Sequence, residues 1–178
     1  MSRPALTESS QAAWRFALRF VGVAAGLFAI YAFPYAENGI SERWFTAYLS
    51  AYARAVGAVL SLVEPSISVS GKLIYGRIAL EIVKTCDAME INILFCAAVA
   101  AFPGRLSRKL AVLLGGLAAL IACNVLRICS LYFIGIHFPS KFELAHLEVL
   151  PLLFVVLTAG LFLLSTNWMR ADEAPADN

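Results

Sequence analysis

The sequence predicts an all-α polytopic membrane protein with about four transmembrane helices, one amphipathic surface helix and a short extracytoplasmic β-hairpin. Of its 178 residues, 61% are apolar and 15% charged, and the mean hydropathy is +0.78; soluble domains are about 45–50% apolar and about 25% charged. The chain has 14 basic and 12 acidic residues, which give a net charge of +2. It therefore lacks the strong positive charge that nucleic-acid binding requires. The composition therefore favours the lipid bilayer, and not a nucleic acid, as partner.

Four apolar segments supply the predicted transmembrane helices, at residues 16–33, 88–102, 110–136 and 145–164. The first segment has Arg3 and Arg15 before it and Arg19 near its start, a basic beginning that a signal peptide would share. The sequence Phe33-Pro34-Tyr35 after it is a poor cleavage site, so we interpret this segment as an uncleaved anchor. The chain is short enough to form a single integral membrane domain over residues 1–178.

Two segments after the first helix are predicted not to cross the bilayer. Residues 41–64 have aromatic and apolar side chains at helical spacing but also contain Arg43, Arg54 and Glu64, and an Arg in mid-membrane costs ~2.5–3.5 kcal/mol on insertion scales. An amphipathic surface helix fits this pattern better, although spanning stays open. Residues 66–84 place isoleucine and valine around Gly71-Lys72, which is typical of a β-hairpin.

The positions of the basic residues predict the topology. Arg105, Arg108 and Lys109 lie in the short connector after the second predicted helix, and the positive-inside rule places this loop in the cytoplasm, together with the tail of residues 1–15. Residues 34–87 then lie outside, and the tail of residues 165–178 returns to the cytoplasm. We expect a multi-pass membrane protein with its N- and C-termini in the cytoplasm.

Three polar residues near the outer ends of the predicted helices form the candidate site, because ionisable groups inside membrane segments are functional candidates by default. At ~1.5 Å per residue, Cys86 lies ~24 Å before Phe102 and Arg127 ~26 Å after Leu110, and His146 opens the last predicted helix. We expect Cys86, Arg127 and His146 to converge at one depth on the extracytoplasmic side.

This set of residues suits nucleophilic catalysis. His146 would act as general base for the Cys86 thiol, which a helix N-terminus would further activate. Arg127 would stabilise an oxyanion or hold the substrate. Three supporting residues complete the set: Asn124, one turn before Arg127, would orient either partner, while Asp87 and Glu90 would pair with Arg127 or Lys84.

Several alternatives remain open at this point. His137 is a second candidate base. A non-catalytic assembly or scaffold protein, with Arg127 in a structural ion pair, is the alternative function. Cys96, Cys123 and Cys129 lie in apolar runs that favour simple packing roles. Because the chain has two histidines and neither CxxC nor HExxH spacing, we predict no metal site, and no motif indicates a cofactor.

At Thr85-Cys86-Asp87-Ala88-Met89-Glu90, Asn124-Val125-Leu126-Arg127-Ile128 and Ala145-His146-Leu147-Glu148 the sequence resembles the exosortase/archaeosortase family of membrane cysteine peptidases or transpeptidases, and is most similar to the exosortase H branch. The sequence departs from the family pattern at two places. Many members have Cys-Ser-Gly where this chain has Cys86-Asp87-Ala88, and many have a Gly four residues after the His, where this chain has Leu150.

The resemblance implies a cysteine endopeptidase or transpeptidase with Cys86 as nucleophile, His146 as general base and acid, and Arg127 at the oxyanion or substrate. Its partners would be exported proteins that carry a C-terminal sorting signal, made of a short motif such as the IPTLxxWG type, a transmembrane helix and a basic tail. Cleavage would proceed outside through a thioacyl intermediate. Hydrolysis or transpeptidation, the acceptor and the oligomeric state stay open.

Overall fold

The chain is a helical membrane protein, as predicted. The computed structural model describes residues 4–32 and 40–170. Its helices are α1 (Pro4–Ala32), α2 (Ile40–Leu60), α3 (Met89–Ala101), α4 (Leu106–His137), the single turn α5 (Phe142–Leu144) and α6 (Leu150–Arg170). Phe33, which ends the first predicted span, and the outer parts of both predicted tails, residues 1–3 and 171–178, lie outside the described residues.

Three helical runs are long and apolar enough to cross a membrane, namely Ser10–Ala32, Leu106–His137 and Pro139–Arg170. The predicted span 88–102 corresponds to α3, a shorter apolar helix of 13 residues. At ~1.5 Å per residue, α3 is about 20 Å long against a hydrocarbon core of about 30 Å. Helix α2, which covers most of the predicted surface helix, is not among the three spans.

A small antiparallel sheet follows α2. Its strands β1 (Ser68–Ser70), β2 (Leu73–Tyr75) and β3 (Ala79–Glu81) lie in the order β1-β2-β3. Strands β1 and β2 form the predicted hairpin, with Gly71 at a positive φ of 59° in its turn, but the third strand was not predicted. A tertiary contact holds the turn between β2 and β3, because the Arg77 main-chain N–H donates to the Tyr132 hydroxyl at 2.9 Å.

The chain divides into two compact units. The first comprises residues 1–32, 90–117 and 158–178. In it the Phe102 ring meets the edges of Phe16 and Phe162, at centroid distances of 6.4 and 5.9 Å. Arg108 Nη1 donates to the Trp168 carbonyl at 2.6 Å and Lys109 Nζ to the Ala100 carbonyl at 3.0 Å. Helix α4 begins at Leu106 and not at residue 110 as predicted, so these two basic residues lie in its first turn and satisfy carbonyl groups near the C-terminal ends of α6 and α3.

The second unit comprises residues 33–89 and 118–157 and contains every catalytic candidate. Its core joins α2, the sheet and the C-terminal part of α4 through Leu60, Ile74, Ile82, Ile128 and Tyr132, each at most 1% exposed. Sheet and helix approach closely at Gly76, where a Cβ would collide with the Tyr132 hydroxyl. This packing holds the end of β3, and the chain that follows it, beside α4.

The last helical run begins earlier than predicted and is irregular. A 3₁₀ turn (Pro139–Lys141) leads into α5, and a π-helical turn (Ala145–Val149) separates α5 from α6. His146 therefore lies inside this run and does not open it, which corrects the sequence prediction. Pro151 gives the physical reason for the π-turn: it has no N–H for the Leu147 carbonyl, and its ring crowds that carbonyl, so the preceding turn widens.

Candidate active site

Cys86 ends a 3₁₀ turn (Lys84–Cys86) that links β3 to α3. The residue is buried, with 6% exposure, and its N–H donates to the Val83 carbonyl at 2.8 Å. The thiol was expected to benefit from a helix N-terminus, but α3 begins only at Met89. The Met89 N–H there donates to Asp87 Oδ1 at 2.9 Å. The carboxylate of Asp87, and not the thiol, thus occupies the helix N-terminus.

Asn124 connects Cys86 to Arg127. Its Nδ2 donates to the Cys86 carbonyl at 2.8 Å, and its Oδ1 accepts from Arg127 Nη1 at 3.4 Å. The two residues are one helical turn apart on α4, so both side chains lie on one face. Asn124 is fully buried and Arg127 is 9% exposed. The predicted orienting residue therefore contacts both the nucleophile's backbone and the guanidinium.

His146 and Cys86 line one cavity of about 260 Å³. Phe142 stacks on the imidazole at a centroid distance of 5.9 Å and an interplanar angle of 21°. Arg127 is linked to the Cys86 main chain through Asn124. The structure thus brings together the three residues that the sequence places far apart.

Two buried nitrogen atoms at this site have no hydrogen-bond partner among residues 4–32 and 40–170: Nδ1 of His146 and Nε of Arg127. Buried polar groups are nearly always paired in folded proteins, so orphaned ones call for an explanation. His146 lines the cavity that it shares with Cys86, so a polar ligand there could bond to its Nδ1. By contrast, His137 is exposed, donates from Nδ1 to the Phe133 carbonyl at 2.9 Å, and is not among the residues that line this cavity.

Arg127 also lines a second cavity, of about 190 Å³. Apart from Cys123, Ser130 and Arg127 its walls are aliphatic or aromatic side chains of α4 and α6: Leu126, Leu150, Leu153, Phe154 and Leu157. The guanidinium is therefore the one charged group of that cavity. Its hydrogen-bond partner Asn124 is neutral; that Asp87 and Glu90 pair with Arg127 or Lys84 stays a prediction. Asp87 is 2% exposed, and Glu90 is exposed on the first turn of α3.

Ala88 has a left-handed backbone, with φ at +55°. This is the position at which many relatives have the glycine of Cys-Ser-Gly. Only glycine adopts this conformation without a steric penalty from Cβ, which for other residues is about 1–2 kcal/mol. The turn after Cys86 therefore has a backbone shape that suits glycine, although alanine occupies the position.

A hydrogen-bond network around the half-buried Glu64 was missed from the sequence. Tyr132 donates to Glu64 Oε2 at 3.0 Å, and Ser66 and the Arg77 N–H donate to Oε1 at 3.0 and 3.2 Å. Desolvation raises the pKa of Glu64, but these hydrogen bonds and the Arg77 charge outweigh it, so the pKa lies below its usual value. Glu64 at the end of an otherwise apolar stretch, before Pro65, was the available signal.

The family comparison agrees with this geometry. No curated protein and no solved structure matches the chain. A family model described as "Transmembrane exosortase (Exosortase_EpsH)" matches residues 11–164, which include α2, the sheet and all the candidate site residues. This match confirms the resemblance drawn from the three motifs. The chain therefore belongs to the transmembrane exosortase family.

Proposed function

We propose that this exosortase is a cysteine peptidase or transpeptidase that cleaves the C-terminal sorting signal of exported proteins on the extracytoplasmic side of the membrane. The observation that carries the proposal is the shared cavity of Cys86 and His146, with Arg127 linked to the Cys86 main chain through Asn124. A nucleophile, a base and a fixed cation are what acyl transfer requires.

The reaction follows from these three groups. His146 takes the proton of the Cys86 thiol, and Sγ attacks the scissile carbonyl carbon to form a tetrahedral intermediate. The Arg127 guanidinium, whose Nε has no partner among the described residues, stabilises the oxyanion. The C–N bond then breaks, His146 returns the proton to the leaving amine, and a thioester remains on Cys86. Water or an acceptor amine attacks this thioester, loses its proton to His146 and releases the acyl group, which leaves Cys86 as thiolate.

Asn124 acts as a positioning residue in this scheme. Its amide holds the Cys86 carbonyl with one end and Arg127 with the other. The nucleophile and the cation therefore keep one geometry with respect to each other. Preorganised donors of this kind account for a large share of catalytic power in acyl transfer.

The substrate class rests on family membership and on the resemblance to the H branch. We infer that substrates end in a short motif of the IPTLxxWG type, a transmembrane helix and a basic tail. Because the enzyme's own site is built in helices of a membrane protein, a substrate held in the bilayer by its helix can present the preceding segment to Cys86.

Replacing Cys86 with alanine tests the nucleophile. A tagged reporter that ends in an IPTLxxWG segment, an apolar helix and a basic tail is co-expressed with the enzyme, and the shortened product is measured by immunoblot. We expect Cys86→Ala to abolish cleavage. Cys129→Ala is the matched control, because Cys129 is also a buried thiol with 6% exposure in the same core cluster; we expect it to retain cleavage.

The alternative, a non-catalytic scaffold, gives the opposite outcome. In a scaffold protein, Arg127 has only a structural role and Cys86 is not a nucleophile. The Cys86→Ser variant would then sort the reporter as well as the wild type does. Shortened reporter at the wild-type rate with Cys86→Ala would contradict the proposed nucleophile.

A further inference from the structure

Strand β3 is an edge of the sheet. It pairs with β2 on one side, in the antiparallel register Leu73↔Glu81, Ile74↔Leu80 and Tyr75↔Ala79. Within residues 4–32 and 40–170, no other strand pairs with its second side. An edge strand presents a row of main-chain N–H and C=O groups to which another extended chain can bind.

The register decides which main-chain groups of β3 face outward. The Ile82 N–H donates to the Lys72 carbonyl at 2.9 Å, and the Gly76 N–H to the Ile78 carbonyl at 3.2 Å. Main-chain groups alternate in direction along a strand, so those of Ala79 and Glu81 point away from β2. Val83 continues the extended chain, with φ −108° and ψ 169°, and its N–H follows the same alternation.

These outward positions belong to the cavity of the candidate site. Ala79, Glu81 and Val83 line it together with Cys86 and His146. Among its other walls are the apolar side chains of Ile128, Leu131 and Phe142. The Glu81 carboxylate pairs with Lys72 at 3.1 Å, so its charge is balanced on the enzyme itself. The edge strand thus leads directly to the nucleophile.

We propose that the recognition segment of the substrate binds in extended conformation as a fourth strand on the free edge of β3, with its scissile carbonyl beside Cys86. This inference rests on the proposed function, since it supplies the substrate mode for that same site. In an extended peptide, the main-chain groups that point to one side recur at every second residue. This spacing is the same as that of Ala79, Glu81 and Val83 on β3. At about 3.3 Å per residue these positions span about 13 Å, the length of a segment of about five residues.

This binding mode divides recognition into two parts. Main-chain hydrogen bonds to β3 hold the peptide whatever its sequence, as in other complexes formed by strand addition. Alternate side chains of the bound peptide face the apolar walls at Leu131 and Phe142, and the remaining ones face away. The motif should therefore be read at alternate positions.

Proline at position 81 tests the main-chain bond. Glu81→Pro removes the outward N–H, whereas Glu81→Ala removes the same side chain and its ion pair but keeps the N–H; proline is tolerated at such edge positions. With the reporter ending in an IPTLxxWG segment, helix and basic tail, we expect kcat/KM of the Pro variant to be about tenfold below that of the Ala variant, ~1.4 kcal/mol. Equal values in the two variants would overturn the proposal. Alkylation of Cys86, followed by mass spectrometry, verifies that the site is intact in both.

Disulfide cross-linking tests the same binding mode without catalysis. Ala79→Cys, Glu81→Cys and Val83→Cys are introduced one at a time in a Cys86→Ala background, and single cysteines are placed in turn along the recognition segment of the reporter. A disulfide reaches only the residue directly opposite on the neighbouring strand, so we expect each enzyme cysteine to cross-link to one reporter position, and these three positions to alternate, two residues apart. Preferred reporter positions three or four residues apart, cross-links only between two enzyme copies, or none at all would each overturn the proposal.

The two experiments separate this inference from the proposed function. Alternate cross-links with a wild-type enzyme that leaves the reporter intact would support strand addition and contradict the peptidase activity. Cleavage by the wild type without alternate cross-links would leave the activity standing and overturn strand addition.

Discussion

Asn124 shows how a neutral side chain can order a charged site. It is fully buried and donates to the main chain of Cys86, so it fixes the nucleophile's backbone and not the thiol itself. The same amide accepts from Arg127. Because a buried amide that loses a partner costs about 1–3 kcal/mol, this arrangement resists change. Asn124 thereby links the turn after β3 to α4.

Ala88→Gly should stabilise the protein. The left-handed φ of +55° at Ala88 carries a steric penalty that glycine lacks, and the greater unfolded-chain entropy of glycine offsets only part of the gain. We expect the free energy of unfolding in detergent to rise by about 0.5–1 kcal/mol.

Ala97→Gly is the matched control for this change, because Ala97 lies fully buried inside α3. There the same substitution should lower stability by about 1 kcal/mol. A destabilisation of similar size in both variants would show that the turn at residue 88 does not require a left-handed residue.

At the scale of elements, the π-helical turn Ala145–Val149 determines which way His146 faces. An α-helix turns by about 100° per residue, so one extra residue in a turn rotates every preceding side chain. Pi-turns occur often at functional sites. The irregular turn, together with Phe142 stacking on the imidazole, therefore brings His146 to the cavity of Cys86.

Pro151→Ala should separate stability from activity. An alanine restores the N–H that bonds to the Leu147 carbonyl, so the helix can continue as a regular α-helix and rotate His146 away. We expect unchanged or higher thermal stability, with cleavage of the reporter reduced about 10- to 100-fold.

Pro139→Ala is the control for Pro151→Ala. Pro139 lies in the first turn of the last helical run, where a missing N–H costs little. It should retain the wild-type rate. Full activity of Pro151→Ala would mean that the π-turn does not position His146.

At the scale of the whole molecule, the chain is a multi-pass membrane protein, with three runs able to span a bilayer. The basic residues from which the orientation was predicted also have a structural function, because Arg108 and Lys109, in the first turn of α4, bond to the carbonyl groups of Trp168 and Ala100. The charges that mark the cytoplasmic side in the sequence thus also stabilise helix ends.

Single introduced cysteines test the orientation. Leu62 and Leu106 are 83% and 71% exposed and lie on opposite sides of the membrane in the predicted topology. In intact cells, a membrane-impermeant maleimide should label Leu62→Cys above the background of the native thiols, and should label Leu106→Cys only after permeabilisation. The reverse pattern would place the active site in the cytoplasm.

The sequence by itself determined the fold class, most of the helices and the identities of the candidate catalytic residues. Composition and apolar run length suffice for the first two, because a bilayer demands long apolar helices whatever their packing. Cys86, Arg127 and His146 stood out for the same reason: polar groups are costly in such helices and therefore rare.

Only the tertiary structure decided how these residues meet. The third strand depends on Tyr132, whose hydroxyl accepts from the Arg77 N–H of its turn across 55 residues of the chain and donates to Glu64 across 68, and no local pattern encodes such contacts. The π-turn at His146 and the left-handed Ala88 arise where packing and Pro151 override helical propensity. Contacts between residues far apart in the chain determine the geometry of the site. The bilayer acts on each segment locally, and so it determines which segments are long apolar helices.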